Sequence, residues 1–310
     1  MQCPRLNHFV RLNHNGTVSR CGHMINSPQF ASLQEMDKSE WLYNIKNLLW
    51  PVECTRCRET EMLGHDSVRI HSIRFHQQQT RPDYLIVGGV LDNICNSGCL
   101  TCDENHSTKI GSLNSKVYPI VDNTNHFWSL PTNRIVKLDI NGGEPSASKN
   151  YKKILKNLPD NIEEVRINTN CSLIIDEIEI LIKRQLKIIV TVSLDGIEET
   201  HDFVRWPIIW DKFYKNLMIY KNMPGIELNT WTTVSALNLH NFLAIKQFVD
   251  KHQIDHSFAL LHNPDPINVK FKNKFTEPYK EVFPNLVAVD RNNQDEIDEF
   301  IKNQKVLRGL

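Results

Sequence analysis

The sequence lacks a net charge, a long apolar run and an apolar segment at its start. Lysine plus arginine and aspartate plus glutamate each number 36, which gives a formal net charge of zero over 310 residues. This balance argues against a nucleic acid or a membrane surface as the partner, because both attract proteins with a strong basic field. No apolar run reaches the roughly 20 residues that span a bilayer, and the start of the chain lacks the apolar core of a signal peptide. We therefore expect a soluble, cytoplasmic protein.

The sequence does contain a sizeable apolar fraction and many cysteines. Apolar residues make up 40% of the chain, which is enough for a core, and the length suits one large domain or one large and one small domain. No internal repeat of solenoid period is visible in the sequence. Eight cysteines in a chain expected to be intracellular favour metal ligation over disulfides.

Three of the cysteines form the most informative motif. Cys95, Cys99 and Cys102 lie within eight residues, with the spacing C-x3-C-x2-C. A [4Fe–4S] cluster normally has four cysteine ligands, so a compact triplet leaves one iron free to bind another molecule. The alternatives are a zinc site, which usually uses C-x2-C pairs, and a redox disulfide. The apolar run 84–91 before the triplet predicts a buried strand, and α/β barrels keep their chemistry at the carboxyl ends of such strands.

A later glycine motif joins the triplet in a resemblance to a known family. Gly142, Gly143, Glu144 and Pro145 follow the predicted strand 135–140. In this order the two motifs resemble the radical S-adenosylmethionine (SAM) superfamily. The resemblance implies that the open iron binds SAM, and that reductive cleavage of SAM gives methionine and a 5′-deoxyadenosyl radical, which abstracts hydrogen from a substrate. Without the triplet, the glycine motif would suit a simple strand-to-helix turn.

The resemblance also implies which residues contact SAM. These are the glycine motif at the amino group of SAM, two asparagines that end the third barrel strand, the serine of an S-L-D-G segment, the arginine of an H-D-x-x-R segment and a threonine of the fifth strand: Gly142, Gly143, Glu144, Asn168, Asn170, Ser193, Arg205 and Thr233. Asn170 and Cys171 depart from the family's T-N-G pattern. The other interpretation of Arg205 is a surface ion pair with Asp202. We expect Cys171 to be a buried, small apolar residue.

Four further cysteines precede the predicted barrel: Cys3, Cys21, Cys54 and Cys57. Asn15 and Gly16 predict a hairpin turn before the second of them, and the last two form a C-x2-C pair. Four thiolates complete one site, which suits either structural zinc or an auxiliary [4Fe–4S] cluster. The segment resembles the auxiliary domain of SPASM and twitch radical SAM enzymes. Four cysteines suit the single-cluster twitch form, although that domain usually follows the barrel.

Predicted strands and helices alternate after residue 84. The strands cover 85–91, 135–140, 164–168, 187–194, 226–234 and 256–261, and the helices cover 148–158, 176–184, 210–222 and 239–252. This alternation predicts a parallel sheet, and six such units resemble the partial (β/α)6, TIM-like barrel of the family. We therefore predict an α/β fold, with a Cys-rich, twitch-like auxiliary domain over 1–80 and a radical SAM partial barrel with a C-terminal helical extension over 81–310. The polar stretch 72–82 predicts a linker between them.

The resemblance implies an oxidoreductase or modifying enzyme. It would use two [4Fe–4S] clusters, SAM and a reductant such as flavodoxin or ferredoxin, and an auxiliary cluster with four cysteine ligands suits electron transfer. Members with such domains often modify peptides or protein residues, which we expect here, although no peptide-recognition winged-helix region is visible. The alternatives are an enzyme that dehydrogenates or modifies a small polyol, aminocyclitol or nucleotide, and a non-catalytic iron–sulfur or zinc protein.

Overall fold

One mostly parallel sheet organises the fold. The computed structural model describes residues 2–62, 64–114, 118–261, 263–283 and 289–310. Its strands are β1 (Phe9–Leu12), β2 (Val18–Ser19), β3 (Leu85–Val90), β4 (Ile135–Asn141), β5 (Glu164–Thr169), β6 (Lys187–Ser193), β7 (Ile226–Val234) and β8 (Asp255–Leu260). Within the described residues, the eight strands form one sheet in the order β2-β1-β3-β4-β5-β6-β7-β8. Only the β1–β2 pair of that sheet is antiparallel.

The helices lie between and beside these strands. They are α1 (Arg5–His8), α2 (Leu33–Lys38), α3 (Glu40–Lys46), α4 (Thr55–Met62), α5 (Val68–Gln78), α6 (Thr108–Leu113), α7 (Thr124–Ser129), α8 (Lys149–Lys156), α9 (Ile178–Lys183), α10 (Glu199–Val204), α11 (Trp210–Asn222), α12 (Phe242–Lys251) and α13 (Gln294–Arg308). Short 3-10 helices cover Val52–Cys54, Thr132–Arg134, Leu239–Asn241, Asp265–Ile267 and Glu277–Tyr279. None of the helices in the described ranges combines the length and the hydropathy needed to cross a membrane.

The predicted alternation of strands and helices is confirmed from β3 to β8. Each of the six predicted barrel strands agrees with its observed strand within one residue at either end, and β7 and α11 agree at both ends. The strands were recognisable because apolar, β-branched runs of this length suit a parallel sheet with helices packed on it. The α/β class is therefore confirmed, and the sheet is compatible with a TIM-like barrel.

The N-terminal hairpin belongs to the same sheet as the barrel strands. Asn15 accepts hydrogen bonds from the backbone N–H and the hydroxyl of Thr17, and Gly16 has a φ of 79°, so the predicted turn is confirmed. β1 then pairs in parallel with β3. The division of the chain into 1–80 and 81–310 stays a prediction, and the β1–β3 pair joins these two segments in one sheet.

Two glycines of β3 allow the hairpin to dock. A Cβ atom on Gly88 would lie 2.5 Å from Cζ of Phe9, and one on Gly89 would lie 2.2 Å from the carbonyl oxygen of Leu12 and 2.8 Å from Cγ of Arg11. Gly89 also has a φ of 94°, which side-chain-bearing residues rarely adopt. β1 can therefore approach β3 only because β3 has no side chains at these two positions.

The predicted linker over 72–82 is wrong for most of its length. α5 begins after Ser67, whose hydroxyl accepts hydrogen bonds from the N–H groups of Arg69 and Ile70, and it continues to residue 78. Its polar composition concealed two contacts with the sheet: the ring of Phe75 packs against Tyr84, and Nδ1 of His76 lies 3.0 Å from the Tyr84 hydroxyl. Composition cannot predict such contacts, because they depend on where the helix lies.

The two faces of the sheet differ in polarity. One face packs on the helices through the main core, to which β1, β3, β5 and β6 contribute Val10, Leu12, Val87, Val165, Ile167, Val190 and Val192. Side chains alternate along a strand, so the intervening residues face the other side. That concave face carries polar residues, of which Asn141 is exposed and the others are partly exposed: Arg11, Asp139, Asn141, Arg166, Asn168, Thr191 and Asn229. A polar concave face suits a site for a polar ligand.

Candidate functional site

A cleft of about 250 Å³ lies where β3, β4, β5 and β6 end. It is lined by nearly all of the residues predicted to bind the cluster or SAM: Cys95, Cys99, Cys102, Gly142, Gly143, Glu144, Asn168, Asn170, Ser193 and Arg205. Thr233 does not line it. The carboxyl ends of parallel strands meet at one edge of a sheet, which explains why motifs far apart in sequence come together here.

The loop with the three cysteines is held in place by its backbone and by Ser97. The Ser97 hydroxyl lies 3.3 Å from Sγ of Cys95 and 3.5 Å from Sγ of Cys99, so the first two thiols flank one side chain. The N–H of Gly98 donates to the carbonyl oxygen of Trp206 at 2.7 Å, which fastens the loop to the segment after α10. The loop is therefore tied to this segment by a backbone hydrogen bond.

The glycine motif contacts the chain just before Cys95. The N–H groups of Gly143 and Glu144 donate to the carbonyl oxygens of Asp92 and Ile94, both at 2.8 Å. A Cβ atom on Gly143 would lie 2.1 Å from the Ile94 carbonyl oxygen, which is far inside contact distance. The glycines therefore let two loops pack together and position the cysteine loop. Their contact with SAM stays a prediction.

The Glu144 side chain points into the protein. It is 1% exposed, and Oε1 accepts hydrogen bonds from the backbone N–H and the hydroxyl of Ser146 and from the hydroxyl of Thr169. Oε2 accepts from the N–H of Asn170 at 2.6 Å. Burial raises the pKa of this carboxyl, and the four donors oppose that shift. The carboxylate thus joins the glycine motif to the end of β5.

Asn170 carries this connection on to the cysteine loop. Its Nδ2 donates to Oδ1 of Asn96 at 2.9 Å and to the hydroxyl of Ser97 at 3.0 Å. Asn96 in turn donates to the hydroxyl of Ser172 at 2.9 Å. Asn168 lies on the concave face and donates to Oδ1 of Asn141. The departure from the T-N-G pattern therefore has a structural use, because the Asn170 amide bonds the side chains beside the thiols.

Arg205 forms a buried ion pair, and its partner is not the predicted one. Nη1 lies 2.6 Å from Oδ2 of Asp195, which is 1% exposed, whereas Asp202 accepts a hydrogen bond from the N–H of Trp210. The alternative of a surface pair with Asp202 is therefore wrong. Burial lowers the pKa of the Arg205 guanidinium, but the Cys99 thiol and the Asp195 carboxylate more than compensate, so the pKa lies above its usual range. A permanent positive charge stands beside the thiols.

Asp195 is a site residue that the sequence motifs did not reveal. Its other oxygen, Oδ1, accepts a hydrogen bond from the N–H of Thr233 at 2.7 Å, so Thr233 acts on the site through Asp195 and Arg205. The S-L-D-G segment contains Asp195, but the resemblance assigns the functional role in that segment to Ser193. The sequence gives no signal for this role, because the pairing of Asp195 with Arg205 depends on the fold.

The three thiols of the cleft influence one another. Cys102 is exposed, whereas Cys95 is partly buried, and burial followed by Cys99 raises the pKa of Cys95. A thiolate at Cys99 would repel one at Cys95, which favours the neutral form of the Cys95 thiol. A metal centre that binds all three would have to displace their protons.

The four N-terminal cysteines line a second cavity, to whose wall α1, α4 and the start of α5 also contribute. Cys3, Cys21, Cys54 and Cys57 all contribute to its wall. Burial, the largest cause in each case, raises the pKa of Cys3 to about 11 and that of Cys54 to about 12, and the other thiols add to both shifts. Nη1 of Arg5 lies 3.5 Å from Sγ of Cys21. Four thiols around one buried space suit the donor set of an iron–sulfur or zinc centre.

The cysteines do not converge on a single point in either group. Among residues 2–62, 64–114, 118–261, 263–283 and 289–310, no three His, Cys, Asp or Glu side chains are placed so that they could hold one metal ion. In a cubane cluster each thiolate binds a different iron, so its ligands stand farther apart than the ligands of one ion.

Cys171 lies outside both groups. It is fully buried in the main core, as expected for a small apolar residue, and its Sγ lies 3.9 Å from the carbonyl oxygen of Phe213. Its φ is 60°, in the left-handed region. Cys171 therefore contributes to packing beneath the end of β5.

Comparisons with known proteins give only weak likenesses. No protein-family model and no curated protein matches the chain. Solved structures of SuiB from Streptococcus suis are similar: SuiB bound to the precursor peptide SuiA is 15% identical with a TM-score of 0.43, over 98% of this chain and 70% of that chain. SuiB bound to S-adenosylmethionine is 15% identical with a TM-score of 0.40, over 84% of this chain and 63% of that chain. Another SuiB structure is 14% identical with a TM-score of 0.40, over 97% of this chain and 69% of that chain. Likeness at this level does not establish a shared family or activity.

Proposed function

We propose that this chain is a radical SAM enzyme, with a catalytic [4Fe–4S] cluster bound by Cys95, Cys99 and Cys102. One observation carries the proposal: three thiols spaced for a cubane with one open iron line the same cleft as the glycine motif and a buried arginine. A structural zinc site would need a fourth protein ligand, and a redox disulfide would need only two thiols. Neither alternative explains the rest of the cleft.

The residues of the cleft fit such a cluster and its ligand. Three thiolates would be a concentrated negative charge, and the Arg205 guanidinium lies beside them, held by Asp195. Ser97 contacts two of the sulfur atoms and can donate a hydrogen bond to a thiolate. When bound and reduced, the cluster supplies the electron that cleaves SAM to methionine and a 5′-deoxyadenosyl radical, which takes a hydrogen atom from the substrate.

The chain's own residues would bind and orient SAM. The Arg205 guanidinium has five donors and only one hydrogen bond to Asp195, so it can also bind the carboxylate of SAM. The polar rim formed by Asn168 and Ser193 is available to the ribose or the amino group. The Glu144 carboxylate is already occupied by four donors, and we assign it to positioning the rim instead of contacting SAM.

We propose that the second cavity binds an auxiliary [4Fe–4S] cluster through Cys3, Cys21, Cys54 and Cys57. Four thiols give this centre full protein ligation, which suits a role in electron transfer with the substrate and not in binding it. A flavodoxin or ferredoxin would supply the reducing electron. Structural zinc at this position is the alternative, and metal analysis separates the two.

The proposed substrate is a peptide or protein residue. The alternative is a small polyol, aminocyclitol or nucleotide. The cavity next to the cleft has room for one amino-acid side chain or one small metabolite. That cavity measures about 320 Å³, at the lower end of the roughly 300–1,000 Å³ of ligand pockets. The cavity would therefore take one residue of a peptide, with the remainder outside.

Formation of 5′-deoxyadenosine tests the proposal. We expect anaerobically reconstituted protein to form it from SAM when dithionite is added, and the triple variant Cys95→Ala/Cys99→Ala/Cys102→Ala to form none. Cys171→Ala removes a buried cysteine outside both groups and serves as the matched control, with activity kept. Activity in the triple variant, or an iron-loaded wild type that never cleaves SAM with any peptide or small molecule supplied, would contradict the proposal.

A further inference from the structure

A third cavity lies between the two groups of cysteines. It measures about 320 Å³ and shares Arg5 and His23 with the wall of the four-cysteine cavity. At its other end it shares His106 and Asn141 with the cleft of the three cysteines. A molecule in this cavity would thus lie between the four N-terminal cysteines on one side and the three cysteines of the cleft on the other.

The strand register places two opposite charges on the wall of this cavity. Arg11 of β1 is level with Gly88 of β3, which in turn is level with Asp139 of β4. The two charged residues therefore face the same side, two strands or roughly 10 Å apart. Gly88 and Gly89 have no side chains, so the Phe9 ring and the aliphatic part of the Arg11 side chain occupy the space that side chains there would fill.

A second guanidinium lies nearby. The Arg5 guanidinium carbon stacks 3.8 Å from the centre of the Phe9 ring, so the ring that covers Gly88 also positions Arg5. Nη1 of Arg5 contacts Sγ of Cys21, and Nε is buried without a hydrogen-bond partner among the described residues. Arg5 thus has donors that the protein does not use.

Arg11 is the less occupied of the two. Its guanidinium packs 3.4 Å from the position of a Cβ on Gly22 and interacts electrostatically with the Cys21 thiol, but within the part of the chain that the structure describes it forms neither a hydrogen bond nor an ion pair. A half-buried guanidinium with unused donors is costly unless an anion or water binds it. Two arginines against the single carboxylate of Asp139 leave the lining with a net positive charge.

We infer that this cavity is the substrate site and that it takes a substrate with an anionic group, a carboxylate or a phosphate, bound by Arg11 and Arg5. With its anionic group bound by the arginines, the substrate would extend toward His106 and Asn141, which also line the catalytic cleft. Naming the ligand as the substrate rests on the proposed function. Binding of the anion does not rest on it, because it follows from the charges of the cavity alone.

Anion binding to the reconstituted protein tests this inference. The probes are inorganic phosphate and succinate, titrated against sodium chloride of equal ionic strength, with the rise in melting temperature giving the affinity. We expect Arg11→Gln to bind the preferred probe about tenfold more weakly, as for one lost charge-assisted group. Asp139→Asn should bind it about threefold more tightly, because a repelling charge is removed.

Arg74→Gln is the matched control. It removes the same charge from an exposed residue of α5 that pairs with Asp66, and its affinity should equal that of the wild type. Preference for phosphate or for succinate identifies which anion the substrate carries, and either preference supports the inference if it depends on Arg11. Equal binding in wild type, Arg11→Gln and Asp139→Asn would overturn it.

Two further outcomes separate this inference from the proposed function. If Arg11→Gln does not fold, the tighter binding expected for Asp139→Asn still decides, and its absence would overturn the inference. Arg11-dependent anion binding without deoxyadenosine formation would support the anion site and count against the radical SAM assignment. Deoxyadenosine formation without Arg11-dependent binding would overturn the anion site and leave the assignment intact.

Discussion

Replacement of Glu144 by glutamine tests whether its carboxylate holds the cleft together. The carboxylate is 1% exposed and accepts four hydrogen bonds, three at Oε1 and one at Oε2. Glutamine keeps the shape but replaces one oxygen by an NH2 group, which donates. The amide oxygen would face the three donors, so the NH2 group would face the N–H of Asn170.

The expected loss of stability is about 2 kcal/mol. One charge-assisted hydrogen bond, worth roughly 1.5–3 kcal/mol, becomes a contact between two donors, and three others become bonds to a neutral acceptor. Burial raises the pKa of the Glu144 carboxyl, which shows that the charge is costly here, so the neutral amide recovers part of the loss. These opposing effects leave a net destabilisation below the sum of the lost bonds.

Urea denaturation followed by circular dichroism measures this loss. The control is Glu227→Gln on β7, which removes an exposed carboxylate 3.4 Å from Lys187 and should change the free energy of unfolding by less than about 0.5 kcal/mol. If Glu144→Gln were as stable as this control, Glu144 would not position the rim of the cleft. The assignment of Glu144 to positioning, in place of SAM contact, would then be wrong.

Three other predictions follow from particular contacts. Gly143→Ala would place Cβ 2.1 Å from the Ile94 carbonyl oxygen, so we expect a lower melting temperature and a lower iron content after reconstitution. Arg308→Met removes a buried side chain that donates to the carbonyl oxygen of Gly98 in the cysteine loop, and should lower the free energy of unfolding in urea by about 2 kcal/mol. Because burial raises the pKa of the Cys3 thiol from 9.0 to about 11, the unfolded metal-free chain loses this proton first. The stability that wild type has over Cys3→Ala should therefore be constant below pH 9 and fall between pH 9 and 11, measured as the free energy of unfolding in urea at each pH.

The barrel strands were predictable because local sequence determines them. β7 begins and ends where its apolar and β-branched pattern does, and Pro207 before α11 and Pro224 after it bound that helix equally well. α5 was missed because its apolar residues are few and one of them, Phe75, packs against Tyr84, which follows the helix in sequence. The pairing of β1 with β3 depends on contacts between distant segments, and only the two glycines of β3 hinted at a close approach.

The candidate site, like the fold, could be predicted only in part. The spacing of Cys95, Cys99 and Cys102 is enough to predict that their three thiols lie together, since three ligands within one loop are necessarily close. The ion pair between Asp195 and Arg205 could not be predicted, because the two residues lie ten positions apart in sequence and only the fold brings them together. Motifs thus predict which residues gather at a site, whereas their hydrogen-bond partners follow from the fold.

Iron counting in the wild type and two cysteine variants tests the central claim, that two separate groups of cysteines each bind a cluster. Two [4Fe–4S] clusters predict about eight irons per chain in the anaerobically reconstituted wild type. The Cys95→Ala/Cys99→Ala/Cys102→Ala variant should keep about four and form no deoxyadenosine, and Cys54→Ser/Cys57→Ser should keep about four and still form it. An iron content that neither variant lowers, or about four irons with one zinc in the wild type, would contradict the claim.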